Sequence, residues 1–148
     1  MRRLSEEMPF VSLALSLHAP NQEVRLKIVP AASAHHIDKL MDAVDYHVTK
    51  HLQAYIEHKA RYHNGIPPSE EKMDGIIKRQ SGSSRPNKIS GVMMEYILIK
   101  DINDQECHAI ELAKLLYPRR DHVILNLIPY NPTEVAEDYE PPSDESVA

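Results

Sequence analysis

The sequence predicts an α/β fold in which about three parallel strands are joined by crossover helices. Three short runs rich in Val, Ile and Leu, at 10–17, 92–99 and 123–128, have the nearly continuous apolar character of strands that are covered on both faces. The segments between these runs carry helical patterns, so the order along the chain is strand, helix, strand, helix, strand. That order is typical of successive right-handed β/α units.

The first helical pattern lies between the first two apolar runs. Ser33 has the position of an amino-terminal cap, and Asp38 favours the positive end of a helix. We therefore predict a helix that begins just after Ser33. Its apolar residues recur every three or four positions, which places them on one side of the helix: Ile37, Leu40, Met41, Val44, Val48, Leu52 and Tyr55.

The second helical pattern follows the second apolar run. Asn103 and Glu106 have the spacing of a capping box, with Asn in place of the usual Ser or Thr. We therefore predict a helix that Asn103 caps and that Pro118 ends. Its apolar stripe consists of Ala109, Leu112, Ala113 and Leu116.

Two segments interrupt the alternation of strands and helices. Residues 64–91 contain Pro-Pro, Gly-Ser-Ser and mixed charge, and we predict a flexible surface loop inserted in a domain that spans 1–132. The tail, 133–148, is acidic and rich in Pro and Ser, so we expect it to be unfolded. Four basic residues of this segment could contact RNA: Lys78, Arg79, Arg85 and Lys88. The favoured interpretation is that they belong to a solvated polar loop.

Composition narrows the class of protein. A chain of 148 residues with 42% hydrophobic content suits one domain with its own core. The formal net charge of −5 argues against binding nucleic acid through the overall field of the chain. The single cysteine, Cys107, excludes a disulfide framework and indicates a reducing compartment, and we expect its thiol to be buried or half-buried. No apolar run approaches the length of a membrane span, so we expect no membrane partner.

Polar residues follow the first and third strands at the edge where parallel β/α folds bind their ligands. The first strand ends in Ser16, Leu17 and His18, and the third is followed by Asn131. A hydroxyl, backbone groups and an amide suit a ligand with a carboxylate, a ribose or an adenine edge. The alternative, slightly favoured by spacing alone, is that Ser16 and Asn131 only satisfy turns.

The histidines of the first helix raise a rival hypothesis. His47 and His51 have the i, i+4 spacing that can chelate a metal ion. Val48 stands where a metalloprotease motif requires Glu, and no third ligand is evident. A partly exposed helical face is the favoured interpretation.

The motifs on the three predicted strands resemble one known family. The stretches "VSLALSLHAPNQEVRLKIVP", "MMEYILIKDINDQECHAIELAKLL" and "VILNLIPYNP" are similar, in the same order, to the carboxyl-terminal part of the RlmN/Cfr family. These are radical S-adenosylmethionine enzymes that methylate C2 of adenine in RNA. The resemblance covers nearly the whole chain outside 64–91. It implies an incomplete (β/α) partial barrel of the radical S-adenosylmethionine type, to which residues 1–132 contribute the carboxyl-terminal part of the core domain.

The resemblance also implies a cofactor site. By analogy with the family, Ser16, Leu17, His18 and Asn131 contact S-adenosylmethionine. The [4Fe-4S] cluster of the family has no ligands here, because the Cys-x-x-x-Cys-x-x-Cys motif is absent. The Gly-Glu motif, an earlier serine and the late cysteine that carries the methyl group are also absent, and Cys107 does not have the position of that cysteine.

Two functional classes therefore stay open. The first is part of a methyltransferase that acts on 23S-type ribosomal RNA, with transfer RNA as a further substrate, in which a missing amino-terminal half carries the cluster. The second is a non-catalytic truncated remnant of such an enzyme. In either case we expect the chain alone to be inactive, and its catalytic residues are not identified. The family implies a cytoplasmic protein, with an organelle stroma or matrix as the alternative.

Overall fold

A computed structural model of the chain describes residues 1–64, 91–132 and 139–143. Its three strands are β1 (Leu13–Ser16), β2 (Val92–Leu98) and β3 (Val123–Pro129). They form one parallel sheet in the order β1-β2-β3, with Leu13 opposite Val92 and Val92 opposite Val123. The predicted parallel α/β fold is confirmed. The first strand is shorter than predicted, because the backbone pairs with β2 only from Leu13 onwards.

Two crossover helices connect the strands. Helix α3 (Ile37–Asn64) connects β1 to β2, and α4 (Glu106–Leu116) connects β2 to β3. Two shorter helices, α1 (Arg2–Glu7) and α2 (Gln22–Ile28), were not predicted because neither is long enough to show a periodic apolar stripe. Short 3-10 turns follow α2, at Pro30–Ser33, and α4, at Tyr117–Arg119.

Both predicted helix caps are wrong. Ser33 lies inside a 3-10 turn, and α3 begins four residues later at Ile37. Helix α4 is capped by Gln105, whose side chain accepts a hydrogen bond from the backbone N–H of His108 while the His108 ring accepts from the backbone N–H of Gln105. This is a capping box with residue types that the usual signature does not include. Asn103 does not cap α4; its side chain binds the backbone of the turn after β2.

The core lies between the sheet and the two crossover helices. Every second residue of β2 faces this core, and its members are buried: Val92, Met94, Tyr96 and Leu98. Most of the predicted stripe of α3 packs against them, with Met41, Val44 and Val48 at its centre. The helices are also linked by a bidentate ion pair, in which Arg119, just after α4, donates to both carboxylate oxygens of Asp45 at 2.7 and 2.8 Å.

Asn103 holds the carboxyl edge of the sheet together. Its side chain is 2% exposed, and its Oδ1 accepts from the backbone N–H of Ile99 at 2.7 Å. Its Nδ2 donates to the backbone carbonyls of Ile97 and His18, each at 2.7 Å. The Tyr96 hydroxyl donates to the carbonyl of Asn103 at 2.8 Å. One side chain therefore ties the turn after β2 to His18, two residues after the end of β1.

The face of the sheet opposite α3 and α4, called here the open face, is covered by the described residues only near the carboxyl ends of the strands, where residues 26–30 and Tyr139 lie. The prediction of strands covered on both faces fails for β3, where only Val123 is buried and four apolar residues are 37–47% exposed: Ile124, Leu125, Leu127 and Ile128. Leu125 and Leu127 also line an apolar groove of about 430 Å³ between β3 and α4. Both β1 and β3 are edge strands in the described sheet.

The interrupting segments fall largely outside the described residues. Of the predicted loop 64–91, residues 65–90 are not described, so its flexibility stays a prediction. Of the tail, residues 139–143 are described, and Tyr139 and Glu140 contact the folded part of the chain. The unfolded state of the remaining tail stays a prediction. None of the described helices combines the length and the apolar character needed to cross a membrane.

We expect the isolated chain to be marginally stable and to self-associate. Apolar surface that stays exposed lacks the stabilisation of about 25 cal/mol per Å² that burial would give. A few hundred Å² of such surface therefore lowers the free energy of unfolding by several kcal/mol, which is comparable to the stability of a small domain. Parallel edge strands also leave unpaired backbone groups. I124T and I128T, which keep a β-branched shape on the open face, should reduce association in sedimentation velocity. I110Q, at an exposed residue of α4, is the control. Monodisperse wild-type chains with a cooperative thermal transition would contradict this expectation.

Replacing Asn103 should destabilise the fold strongly. N103A leaves one buried N–H and two carbonyls without partners, and each such group costs about 1–3 kcal/mol. We expect a loss of at least about 2 kcal/mol in urea unfolding followed by circular dichroism. N103D keeps the acceptor for Ile99 but loses both donors, so it should also destabilise. An N103A variant within about 0.5 kcal/mol of the wild type would show that the network is dispensable.

Candidate functional site

The carboxyl edge of the sheet brings together residues that are distant in the sequence. Ser16 is the last residue of β1, His18 lies two residues beyond it, and Asn131 lies two residues beyond the end of β3. Because the three strands are parallel, all of these residues lie at one edge. A groove of about 570 Å³ opens there. It is lined by Ser16 and His18, by residues 26–30, by Ile97 and Ile99, and by Tyr130 and Tyr139.

Ser16 presents a hydroxyl that is directed toward the neighbouring strand. Its Oγ donates to Oε2 of Glu95 on the neighbouring strand at 3.3 Å. Since the single hydroxyl hydrogen is used in this bond, the lone pairs of Ser16 remain for a donor from a ligand. Ser16 therefore acts as an acceptor in the groove.

Leu17 contributes no side chain to the groove. Its side chain is 0% exposed and belongs to the hydrophobic core. Its backbone N–H donates to the carbonyl of Glu95 at 2.9 Å. The cofactor contact predicted for Leu17 stays a prediction, because the whole residue is buried in this structure.

His18 has an unusual backbone that its hydrogen bonds stabilise. Its φ of 58° lies in the left-handed region, which few residues other than glycine adopt. Its N–H donates to the carbonyl of Glu95 at 3.2 Å, and its carbonyl accepts from Asn103. This backbone turns the imidazole back along the sheet, where Nδ1 accepts from the N–H of Ile97 at 3.2 Å.

The His18 ring is a neutral donor. Nδ1 accepts a hydrogen bond, so the proton of the neutral ring is on Nε2. Desolvation lowers the pKa of His18, the carboxylate of Glu95 opposes this change, and the charge of Arg25 adds to it. The neutral form is therefore favoured near pH 7, and the Nε2–H is the hydrogen-bond donor that the ring can offer to a ligand.

Asn131 lies beside the groove. It is exposed and directly follows Tyr130, whose N–H extends the pairing of β3 by donating to the carbonyl of Leu98 at 2.9 Å. The structure thus brings Ser16 and His18 into the groove and places Asn131 next to a lining residue. The cofactor contact predicted for Asn131 stays a prediction.

Two tyrosines form an aromatic wall that the sequence interpretation missed. The rings of Tyr130 and Tyr139 meet edge to face, with centroids 5.8 Å apart. The Tyr139 hydroxyl donates to the carbonyl of Lys27 at 3.3 Å, and Glu140 forms an ion pair with Lys100. Tyr130 lay within a noted motif, whereas the acidic composition of the tail obscured Tyr139.

The histidines considered as metal ligands anchor the amino-terminal segment instead. The prediction of a partly exposed face is wrong, because His47 is 0% and His51 is 9% exposed. His47 donates from Nε2 to the carbonyl of Val11 at 3.1 Å, and its Nδ1 lies 3.0 Å from Oγ of Ser5. His51 donates from Nδ1 to the carbonyl of Pro9 at 2.7 Å. These ring nitrogens therefore take part in contacts within the protein and do not point to a metal ion.

The described residues offer no metal centre. Across 1–64, 91–132 and 139–143, no group of three or more His, Cys, Asp or Glu side chains is arranged to hold a metal ion. Cys107 is exposed in the first turn of α4, so the prediction of a buried or half-buried thiol is wrong.

Comparison with known proteins gives a consistent result. No family model matches the chain. Proteins named probable dual-specificity RNA methyltransferase RlmN are 33% identical in Exiguobacterium sibiricum and 34% in Shouchella clausii, each over 138 residues that cover 93% of this chain and 28% of the relative. The relative of the same name from Malacoplasma penetrans is 36% identical over 121 residues, 82% of this chain and 23% of its own length.

A solved structure agrees with these relatives. The radical SAM methyltransferase from Sphaerobacter thermophilus matches with a TM-score of 0.65 and 31% identity, over 99% of this chain and 31% of that protein. The chain thus spans less than a third of the length of the proteins it matches. The similarity of sequence and fold shows that the chain is an RlmN/Cfr-like sequence, related along nearly its whole length to part of a radical S-adenosylmethionine methyltransferase.

Proposed function

We propose that this chain forms one wall of the S-adenosylmethionine site of an RNA methyltransferase of the RlmN type. The observation that carries the proposal is that Ser16 and His18, from the motif after β1, line one groove with the tyrosines that follow β3. The proposed reaction is methylation of C2 of adenine in 23S-type ribosomal RNA and in transfer RNA. The name that the relatives carry, dual-specificity RNA methyltransferase, supports RNA as the substrate.

The groove fits S-adenosylmethionine in size and in chemistry. Its volume of about 570 Å³ is within the range of small-molecule sites. The Tyr130 and Tyr139 rings, with Ile97 and Ile99, offer an apolar surface to a flat adenine. Ser16 offers an acceptor and His18 a donor at the same end of the sheet. A nucleoside needs this combination of one apolar and one polar wall.

The residues of this chain would bind and orient the cofactor. When bound, S-adenosylmethionine supplies the methyl group and the precursor of the reactive radical. Neutral His18 donates from Nε2 and Ser16 accepts, which together fix the orientation of a polar group of the ligand. Tyr139, held over the groove by its bond to Lys27, restricts the access of water.

The chain does not fit the [4Fe-4S] cluster of this family. The cluster needs several cysteine thiolates, and the sequence contains one cysteine. Any cluster must therefore be held by residues outside this chain, and we propose that these belong to the amino-terminal half of the enzyme. RNA contacts would also lie largely there, because the net charge of −5 gives this chain no overall attraction for a phosphate backbone.

The single cysteine also favours a second candidate, in which the chain is a non-catalytic remnant that keeps the fold and lacks activity. The two candidates differ in whether cluster ligands are encoded together with this segment. For either one we propose a cytoplasmic location, with an organelle stroma or matrix as the alternative.

Binding of S-adenosylmethionine to the purified chain tests the proposed function. We expect saturable binding in a nuclear magnetic resonance titration, with shifts at Ser16, His18, Tyr130 and Tyr139. S16A should weaken it about 3- to 10-fold, the usual effect of one hydrogen bond. N131A should cost about 1–3 kcal/mol if the asparagine contacts the ligand.

The matched control is S12A, which makes the same substitution just before β1, at the opposite edge of the sheet. It should leave the affinity unchanged. Equal effects of S12A and S16A, or the absence of saturable binding to the wild type, would overturn the proposal.

Anaerobic reconstitution with iron and sulfide should load no stoichiometric cluster on the isolated chain. One thiolate leaves the remaining iron sites without protein ligands. Iron analysis and the charge-transfer absorption of the cluster measure the outcome. C107A is the control, and it should behave like the wild type. A full cluster that survives gel filtration would show that other side chains can replace the missing thiolates.

A further inference from the structure

A row of three polar residues crosses the open face of the sheet. In the strand register, Ser16 of β1 is opposite Glu95 of β2, and Glu95 is opposite Asn126 of β3. Their β2 neighbours Met94 and Tyr96 are buried against the helices. Since successive side chains of a strand alternate between faces, Glu95 and its two partners point to the open face.

The row is polar in surroundings that are apolar. Two residues earlier on each strand, the same face carries Ala14, Met93 and Ile124. Two residues later, it carries Ile97 and Ile128. Central strands of parallel sheets are normally apolar, and Glu is disfavoured in strands. A half-buried carboxylate in the middle of β2 therefore needs a partner.

The described residues satisfy only part of Glu95. Ser16 donates one hydrogen bond to Oε2, whereas a carboxylate has about four acceptor positions. Within the described ranges, no Lys or Arg side chain forms an ion pair with Glu95. Asn126, half-buried on the next strand, adds an amide with both donors and an acceptor.

The row adjoins the candidate cofactor groove. Ser16 belongs to both, and Ile97, which lines the groove, lies two residues after Glu95 on the same face, a rise of about 7 Å along the strand. The carboxylate of Glu95 also acts electrostatically on His18, where it opposes the lowering of the pKa. The groove and the polar row therefore form one continuous surface. This surface is aromatic at the carboxyl edge of the sheet and polar at Ser16, Glu95 and Asn126, which lie before that edge along the strands.

We propose that Ser16, Glu95 and Asn126 bind the ribose hydroxyls of the adenosyl group that enters this groove. This inference rests on the proposed function, because it concerns the same ligand. A ribose is bonded directly to its adenine, so a base held between the tyrosines and Ile97 brings the two neighbouring hydroxyls toward the row. A carboxylate accepts hydrogen bonds from both hydroxyls, as acidic residues do in other nucleotide sites.

Glu95 also positions Ser16. By accepting the Ser16 hydrogen, the carboxylate directs the free lone pairs of that oxygen away from itself and toward a ligand donor. Loss of Glu95 should therefore weaken the Ser16 contact as well. The effects of changing the two residues should not add, because they act as one unit.

Ligand analogues separate this role from a structural one. The probes are S-adenosylmethionine, adenosine and 2′,3′-dideoxyadenosine, titrated by nuclear magnetic resonance into the full chain and its variants. E95Q and N126A should each weaken adenosine and S-adenosylmethionine binding about 5- to 10-fold, the effect of one to two hydrogen bonds. For 2′,3′-dideoxyadenosine, which lacks the hydroxyls, E95Q should bind as the wild type does.

Three controls complete the design. E106Q changes an exposed glutamate of α4 and should alter no affinity. The melting temperatures of E95Q and N126A should match that of the wild type. The double variant, E95Q with S16A, should have an affinity for adenosine within about 2-fold of that of the weaker-binding single variant.

The results separate this inference from the proposed function. If the wild type binds S-adenosylmethionine but E95Q binds adenosine normally, or weakens adenosine and its dideoxy analogue equally, the inference alone is overturned. If the wild type binds neither S-adenosylmethionine nor adenosine, the proposed function fails and this inference fails with it.

Discussion

The carboxyl edge of the sheet depends on the buried amide of Asn103. Its hydrogen bonds to Ile97, Ile99 and His18 join the turn after the central strand to the segment that follows β1. The Tyr96 hydroxyl completes this network, and burial raises the pKa of Tyr96 so that the hydroxyl remains a donor. With the carbonyl of His18 fixed in this way, its left-handed backbone is stable and its imidazole faces the groove. A feature of the fold thus determines the chemistry of the site.

The sequence predicted the elements with long apolar patterns and missed those that depend on single contacts. The apolar runs of β2 and β3 and the stripe of α3 were sufficient to predict a parallel sheet with crossover helices, because burial of many side chains sets these elements. Asn103 was assigned to a capping box because local spacing does not reveal a partner as distant in the sequence as His18. His47 was placed on a partly exposed face for the same reason, since its partners Ser5 and Val11 come from the amino terminus.

The residues of the candidate site were likewise predicted only in part. Resemblance to a family indicated Ser16, His18 and Asn131, and parallel pairing places all three at one edge. The polar row through Glu95 was not apparent, because strand register, and not spacing within a motif, brings its members together. Tyr139 was missed because acidic and Pro-rich composition predicts disorder, although an aromatic ring within such a segment can dock on a neighbouring ring.

The crossover topology separates the two ends of the interval 65–90 from the place where a ligand binds. Helix α3 begins near the carboxyl edge and runs back, so Asn64 at its end and Gly91 before β2 both belong to the opposite side of the sheet from the groove. Gly91 is fixed there by hydrogen bonds with Leu13 and His122 at the starts of the neighbouring strands. For protein engineering, a reporter or an affinity module joined to the chain at Asn64 or at Gly91 would be attached on the side of the sheet away from the ligand.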